Sequence, residues 1–475
     1  MAPVGVFESL STGGVVLLVV CLVVALAFEC ANGFHDTANA VATVIYTHSL
    51  KPTFAVVLSG LFNFAGVVFS AALGGIAVAM GIVKLLPVEL LVSSGAGAGM
   101  AMVLALLIGA IIWNFGTWYL GLPASSSHTL IGAILGVGLA NSLTAGHVFG
   151  DGVNLSKVGE TGSALLFSPI LGFAASAALL WLVRRYALNP SLNEPPPGDA
   201  PPPKGTRSLL VFTSCAVSFA HGQNDGQKGV GLVMLILMGL LPANFALNHD
   251  ASGAALGRSV AALQRIEATL NAHGDVAGAA EVEKTEHELA DIHARLGAHR
   301  TVAEIPNSDR FPIRRDILLA DKNVGELVKN GHLALTDADK KQLEKDRKEL
   351  RSLTEYAPLW VMLLIAFALG IGTMVGWKRI VVTIGERIGK SHLTYAQGAS
   401  AEIIAASTIL LASRWGLPVS TTHVLSSGVA GTMVAQGSGL NTTTVRNIVL
   451  AWVLTLPAAM VISGGLFLLF RLFVG

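Results

Sequence analysis

Two aspartates lie in matching motifs within apolar stretches of this chain, and carboxylates in such a setting can bind a cation or a proton. Asp36 belongs to residues 31–41 (Ala-Asn-Gly-Phe-His-Asp-Thr-Ala-Asn-Ala-Val). Asp225 belongs to residues 220–230 (Ala-His-Gly-Gln-Asn-Asp-Gly-Gln-Lys-Gly-Val). A carboxylate at mid-membrane depth costs at least ~2.5 kcal/mol on insertion scales, so it is rare without a function. Its appearance at matching places in two halves of the chain predicts a cation site.

Residues beside the two aspartates offer further groups for such a site. Gly33 and Gly222 each precede an aspartate by three residues and predict a break in the helix that would free backbone groups for a ligand. Lys228 stands where the first motif has an asparagine, so its ammonium could pair with an aspartate, replace a bound metal, or extend to the membrane surface. The side chains predicted to take part in cation or proton coupling are His35, Asn39, Asn224 and Lys228.

Two hydroxyl-rich motifs form a second matching pair. Residues 121–128 read Gly-Leu-Pro-Ala-Ser-Ser-Ser-His, and residues 416–423 read Gly-Leu-Pro-Val-Ser-Thr-Thr-His. Proline tends to end the incoming helix, and hydroxyls suit the first turn of a new helix, whose free amides attract anions. Hydroxyl packing between membrane helices is the simpler alternative. The residues predicted to bind a tetrahedral oxyanion are Ser125, Ser126, Ser127, Ser420, Thr421 and Thr422, with His128 and His423 as supports.

The two kinds of site constrain each other electrostatically. A phosphate dianion cannot lie beside two ionised aspartates unless a cation lies between them or the carboxylates are protonated. Anion and cation must therefore bind together, which is the physical basis of symport.

The composition indicates a membrane protein with one charged insert. Only 13% of the 475 residues are charged, against about 25% in a typical soluble protein, and the mean hydropathy is +0.64. Of the 61 charged residues, 35 fall within residues 249–355. A net charge of +1 gives no reason to expect a nucleic-acid partner, and three cysteines in apolar runs suggest no disulfide or metal pattern. We also find no nucleotide-binding loop, metal triad or Ser–His–acid set, so we do not expect an enzyme.

Ten apolar segments position these motifs, and together they predict an all-α membrane fold. They begin near residues 13, 53, 100, 124 and 163 in the first half and near 208, 356, 396, 419 and 447 in the second. Five is an odd number, so the second set must enter the membrane from the opposite side, which predicts two inverted-topology repeats with broken helices. Residues 100–141 and 396–436 are the predicted re-entrant hairpins. Arginines and lysines of the linker and of one short loop in the second half predict a cytoplasmic side, with both termini in the periplasm.

The same pattern divides the chain into five parts. They are a first transmembrane repeat (1–185), a proline-rich cytoplasmic linker (186–207), the start of the second repeat (208–242), a charged helical insert predicted to be soluble and periplasmic (243–355), and the remainder of the second repeat (356–475). Within the insert, Thr336 and Asp339 have the spacing of a capped helix start.

The four motifs together resemble those of the inorganic phosphate transporter (PiT) family, and most closely its bacterial low-affinity branch. The resemblance covers both membrane halves and implies phosphate import across the bacterial inner membrane, inverted repeats and a homodimer. The family's repeated acidic motif maps onto residues 33–40 and 222–229, but this chain has His35 and Lys228 where sodium-coupled members keep asparagines. Similar bacterial members are proton-coupled and carry phosphate as a neutral complex with a divalent metal such as Mg²⁺. The resemblance thus implies H⁺ as the coupling ion, Asp36 and Asp225 as metal-binding groups, and no covalent cofactor.

Rival functions remain open from the sequence. A sodium-coupled phosphate carrier, or a carrier of sulfate or another oxyanion, would fit the same scaffold. An anion channel is a more distant alternative, and it would not need the paired acids.

Overall fold

The fold was described from a computed structural model, which places residues 10–474 apart from 73–74, 86–94, 145–152, 187–189 and 274–278. These residues form helices and connecting loops, without an extended strand among them. The first half contains α1 (Thr12–Tyr46), α2 (Pro52–Ala72), α3 (Ala77–Val83), α4 (Gly95–Tyr119), α5 (Ser126–Thr144) and α6 (Leu155–Tyr186).

The second half has a similar order of apolar helices, and an additional group of helices is inserted in the chain after the first of them. Its apolar helices are α7 (Lys204–Leu240), α12 (Leu359–Thr373), α13 (Lys378–Val382, continued by a π-helical turn Thr383–Arg387), α14 (Tyr395–Arg414), α15 (Thr421–Gln436) and α16 (Thr442–Val474). Each of the ten segments predicted from the sequence contains a helix. The helical class is therefore confirmed, whereas the inverted orientation of the second half stays a prediction.

Five helices in the described part of the chain are long and apolar enough to cross a membrane: α1, α2, α4, α6 and α16. The pair formed by α12 and the segment Lys378–Arg387, bent by 58°, would make a sixth. The helices of the other predicted segments are too short or too polar to qualify. Helix α7, for example, is long enough, but it carries the polar residues of the second acidic motif. Several spans, and hence a multi-pass membrane protein, follow from the helices alone.

The predicted helix breaks at Gly33 and Gly222 are wrong. Both residues lie inside uninterrupted helices, α1 and α7. A β-carbon at Gly33 would lie 2.5 Å from the backbone oxygen of Leu369, and one at Gly222 would lie 2.1 Å from that of Asn63. These glycines therefore let two helices approach each other closely, as small residues do in membrane bundles.

The helices do break at the hydroxyl motifs. Helix α4 ends at Tyr119 and α14 ends at Arg414, in each case just before a Gly-Leu-Pro sequence. The glycines of these sequences, Gly121 and Gly416, have φ values of 66° and 69°, which a side chain would disfavour. A new helix begins directly after each turn, so two helical hairpins carry the predicted phosphate-binding hydroxyls.

The chain divides into two compact units. The larger unit, Val16–Ile236 with Pro358–Gly475, contains the four motifs. The smaller unit comprises Leu237–Ala357 with the start of the chain up to Val15. Four helices of the smaller unit, α8 (Gly253–His273), α9 (Ala279–Leu296), α10 (Asn307–Lys329) and α11 (Asp337–Arg351), share a core that includes Leu263, Leu289, Ile317 and Leu350.

The start of α11 is the capped helix start that the sequence predicted. The Thr336 hydroxyl accepts a hydrogen bond from the Asp339 amide at 3.2 Å, and the Asp339 carboxylate accepts one from the Thr336 amide at 3.0 Å. The Thr336 hydroxyl also donates to the Asp339 carboxylate at 2.6 Å, and this bond together with the one from the Thr336 amide holds the pKa of Asp339 below its usual value. The reciprocal pair satisfies two backbone donors that would otherwise lack partners.

Candidate functional site

The two acidic motifs lie in the middle of α1 and α7, inside the larger unit. Asp36 and Asn39 are one turn apart on α1, and Asp225 and Lys228 are one turn apart on α7. All four side chains are buried. Charged and amide groups this deep in an apolar bundle are costly without partners, so the contacts they make define the site.

Hydroxyls from both hairpins converge on the Asp36 carboxylate. Ser126, the first residue of α5, donates to Oδ2 at 3.1 Å, and Thr421, the first residue of α15, donates to the same oxygen at 3.2 Å. Thr422 donates to Oδ1 at 2.7 Å and itself receives a hydrogen bond from the Asn39 amide at 2.9 Å. The beginnings of two helices that are 295 residues apart in sequence therefore meet at one buried carboxylate.

Asp225 has a different partner, the ammonium of Lys228. The Lys228 Nζ lies 2.7 Å from Oδ1 of Asp225, 2.5 Å from the Ser127 hydroxyl and 3.2 Å from the backbone oxygen of Val419. Lys228 does not extend to the membrane surface. Its contact with Ser127 is the counterpart of the contact between Asn39 and Thr422, because the four residues occupy matching positions in the two halves.

His221, which was not among the residues predicted from the sequence, lies between the two acids. Its Nε2 is 3.5 Å from Oδ2 of Asp36 and 3.5 Å from Oδ2 of Asp225, while its Nδ1 is 2.9 Å from the Asn63 amide oxygen. Comparison of the halves passed over this residue because the first motif has an asparagine in its place. The usable signal was its spacing of four residues from Asp225, which puts both side chains on one face of a helix.

Asp36, His221 and Asp225 form a group that could hold a metal ion. One ligand atom from each lies within 4.8 Å of the others. Asp225 Oδ2, His221 Nε2 and the Asn39 amide oxygen are buried and form no hydrogen bond with the described residues. Carboxylate oxygens suit hard divalent cations, and one imidazole is compatible with several metals. His221 Nε2 and Asp225 Oδ2 lie 3.5 Å from each other, so a cation between the two helices could contact both.

His35 and Asn224, which precede the two aspartates at matching positions, have different surroundings. The His35 Nδ1 is 3.3 Å from Oδ1 of Asp36, and its Nε2 is 3.3 Å from the Thr117 hydroxyl. The Asn224 amide instead donates to the Ser413 hydroxyl at 2.9 Å and to the backbone oxygen of Leu417 at 3.2 Å. His35 thus contacts an acid directly, whereas Asn224 holds the turn that leads into α15.

The remaining predicted residues support the starts of the two hairpin helices. The Ser125 hydroxyl accepts a hydrogen bond from the His128 amide at 3.2 Å, and the Ser420 hydroxyl accepts one from the His423 amide at 3.1 Å. The two imidazole rings lie 4.4 Å apart, and the His423 ring stacks on Trp452 at 4.1 Å. Ser125 and Ser420 therefore act as N-caps in this conformation, while the neighbouring hydroxyls point toward the acids and Lys228.

Comparisons with known proteins agree on one family. Residues 32–463 match the model of the phosphate transporter family. The low-affinity inorganic phosphate transporter PitA of Escherichia coli (strain K12) is 44% identical, over 95% of this chain and 96% of the relative. The low-affinity inorganic phosphate transporter of Buchnera aphidicola subsp. Acyrthosiphon pisum (strain APS) is 40% identical over the same shares.

A solved structure described as the sodium-dependent phosphate transporter has a similar fold. The TM-score is 0.55, the sequence identity is 21%, and the match covers 96% of this chain and 99% of that one.

Proposed function

This chain belongs to the phosphate transporter family, and we propose that it imports inorganic phosphate by proton symport, with the phosphate carried as a neutral complex with a divalent metal. It is a phosphate transporter of the PitA and PitB type. The observation that carries the proposal is the convergence of hydroxyls from both hairpins on the carboxylate of Asp36. Anion-binding and cation-binding groups share one buried location there.

Phosphate would take over the hydroxyls that now donate to Asp36. Ser126, Thr421 and Thr422 stand at the starts of α5 and α15, where helix dipoles favour an anion. A phosphate dianion at these hydroxyls lies next to an ionised carboxylate, and their repulsion in a poorly screened interior prevents binding. A proton or a metal ion on the carboxylate removes that repulsion and releases the hydroxyl donors at the same time. This exchange of partners couples the binding of cation and anion.

The divalent metal would be held by Asp36, His221 and Asp225 as part of the transported substrate. A metal–phosphate complex brings its own positive charge to the acids and its phosphate oxygens to the hydroxyls. Ligand atoms of Asp225, His221 and Asn39 that form no hydrogen bond with the described residues support this assignment.

Lys228 favours protons over sodium as the coupling ion. Its ammonium lies at the position that corresponds to Asn39 and already supplies a positive charge to Asp225. A sodium ion bound there would have to displace a fixed cation. We assign the transported proton to the pair of Asp36 and His35, whose Nδ1 lies 3.3 Å from that carboxylate, so that the metal and the proton have separate groups to bind.

Alternating access would move the two hairpins, residues 100–141 and 396–436, as gates on opposite sides of the site. Helix packing supports the underlying repeat. Helix α5 of the first half packs on α16, the last helix of the second half, and its counterpart α15 packs on α6, the last helix of the first half. Further parts of the proposal are a homodimer in the bacterial inner membrane, with both termini and the soluble insert 243–355 in the periplasm.

Uptake of radiolabelled phosphate into proteoliposomes, with pH gradient, sodium gradient and magnesium varied independently, tests this function. We expect uptake against a concentration gradient only with an inward proton gradient and a divalent metal, and no effect of sodium. Sulfate in excess should not compete, because at neutral pH it has no proton to donate to the acidic groups of the site, whereas hydrogen phosphate has one. Uptake driven equally well by sodium alone would refute proton coupling, and flux that ignores both gradients would indicate a channel.

A further inference from the structure

A cavity separate from the acidic site lies beside the turn that follows α4. It has a volume of about 610 Å³ and lies between this turn and the start of α13. Its lining residues include Trp118, Gly121, Trp377, Lys378, Arg379 and Arg387. None of them belongs to the motifs of the acidic site except Gly121, which begins the first hydroxyl motif.

Three cations line this cavity, and its lining residues include no carboxylate. Lys378, Arg379 and Arg387 line it, and none of them forms an ion pair with a carboxylate of the described residues. The nearest acid in sequence, Glu386, lies close to the Tyr46 hydroxyl. Three positive charges around one cavity repel each other, and an anion between them would offset that repulsion.

One of these cations is held in a fixed orientation. The Arg379 guanidinium donates to the backbone oxygen of Tyr119 at 2.8 Å and lies over the rings of Trp118 and Tyr119, at 5.2 and 4.8 Å from their centroids. A guanidinium fixed in this way presents its other donors without a further entropy cost, and a planar fork of donors matches phosphate oxygens well.

The rim of the cavity is apolar and faces outward. Tyr119 and Leu120, at the end of α4, are 65% and 69% exposed. Aromatic residues beside basic ones are typical of the boundary between hydrocarbon and headgroups, and basic pockets between membrane helices bind anionic headgroups. A lipid can place its chains against this rim and its phosphate among the cations, whereas free phosphate would leave the rim uncovered.

We infer that this cavity binds the headgroup of an anionic phospholipid. The site also contacts the first hairpin, because the Thr383 hydroxyl donates to the backbone oxygen of Gly121 at 2.8 Å. Gly121 is two residues before Pro123, which leads into the serines at the start of α5. A bound lipid would therefore stabilise the turn that positions the phosphate-binding hydroxyls.

Quenching of tryptophan fluorescence by brominated lipids tests the inference, since Trp118 and Trp377 line the cavity. The purified full-length protein is reconstituted with dibrominated phosphatidylglycerol or with dibrominated phosphatidylcholine of the same chains. We expect stronger quenching by phosphatidylglycerol. The preference should fall about fivefold for each cation removed in Lys378→Gln and Arg387→Gln, and further in the double variant.

The double variant Lys390→Gln/Arg446→Gln is the matched control, because both residues are exposed basic residues outside the cavity. It should keep the preference for phosphatidylglycerol. Equal quenching by the two lipids, or an equal loss in both double variants, would overturn the inference. So would loss of the preference on addition of millimolar inorganic phosphate, which would identify a site for the free anion. Because the assay measures lipid contact without transport, its result is independent of the coupling mechanism.

Discussion

At the level of single residues, the chemistry of this transporter depends on donors that have two possible acceptors. The hydroxyls of Ser126, Thr421 and Thr422 donate to Asp36 in this conformation. In the mechanism that we propose, the same hydroxyls also bind phosphate. A donor that serves both acceptors changes partner when the carboxylate acquires a proton or a metal, so substrate binding depends on the cation.

We therefore expect Asp36→Asn and Asp225→Asn to impair proton-driven uptake severely. Each change removes a charge that receives hydrogen bonds or an ion pair, an interaction worth roughly 1.5–3 kcal/mol, so rates should fall by about tenfold or more. The measurement is the initial rate of phosphate uptake at a fixed pH gradient. Asp199→Asn, in the exposed linker, is the control. Full gradient-dependent uptake in either site variant would contradict the role of these acids.

His221 should govern the affinity for the metal rather than for phosphate. If it binds the metal together with Asp36 and Asp225, His221→Gln should raise the metal concentration for half-maximal uptake by about tenfold or more. At saturating metal, the half-saturation for phosphate should stay close to the wild-type value. His48→Gln, two residues beyond the end of α1, provides the comparison. An unchanged metal dependence would remove His221 from the metal site.

The sequence predicted most of these residues but not all of their contacts. Duplicated motifs identified Asp36, Asp225 and the hydroxyls, because chemistry that appears twice stands out against ordinary polar packing. His221 has no duplicate, and Asn224 faces a loop although its position matches that of His35. Which face of a helix points to the site depends on the packing of neighbouring helices, and a single sequence does not specify it.

At the level of helices, the close approaches are made by glycine. Gly136 on α5 and Gly431 on α15 occupy matching positions in the two halves. A β-carbon at Gly136 would lie 2.1 Å from the backbone oxygen of Met460 on α16, and one at Gly431 would lie 2.2 Å from that of Phe173 on α6. Each hairpin thus packs against the last helix of the other half through a glycine. The sequence indicated breaks at glycines, but it could not distinguish a glycine needed for a turn from one needed for contact.

Gly136→Ala and Gly431→Ala should each destabilise the protein, because the added methyl group must push two helices apart. Overpacking of this kind costs roughly 1–3 kcal/mol. The expected result is a lower Tm, measured from the loss of the monodisperse peak in detergent after heating, with similar shifts for both variants. Gly162→Ala on α6 is the control, since a β-carbon there would meet no atom within 4 Å. A shift for Gly162→Ala as large as for the other two would show that helix contact is not the cause.

At the level of the whole molecule, each contact between helices described here has a counterpart formed by the corresponding helices of the other half. Helix α4 packs on α5 as α14 packs on α15, and α4 packs on α16 as α14 packs on α6. The sequence predicted the doubled plan and its ten segments, since apolar length and repeated motifs are local properties. It did not predict that each hairpin would pack on the other half, which depends on how the helices associate.

Because each hairpin packs on the other half, Ser126 and Thr421 meet at Asp36 although they are distant in sequence. We therefore expect the two residues to be energetically coupled. Both hydroxyls donate to Oδ2 of Asp36, so removal of one changes what the other contributes. Ser126→Ala and Thr421→Ala should each raise the phosphate concentration for half-maximal uptake by roughly threefold to tenfold. This is the effect expected from the loss of one hydrogen bond. In the double variant, the change in binding free energy should differ from the sum of the two single changes by about 0.5 kcal/mol or more.

Thr47→Ala provides the reference for this cycle. Its buried hydroxyl lies about 16 Å along α1 from Asp36, so its combination with Ser126→Ala should be multiplicative. If Ser126 and Thr421 also combine multiplicatively, the two halves bind phosphate independently, and a single shared site is the wrong description. Coupling confined to the pair that meets at Asp36 would instead mean that one substrate is held by both halves. That arrangement is what alternating access requires, because a substrate held by both halves can be passed from one side of the membrane to the other by their relative motion.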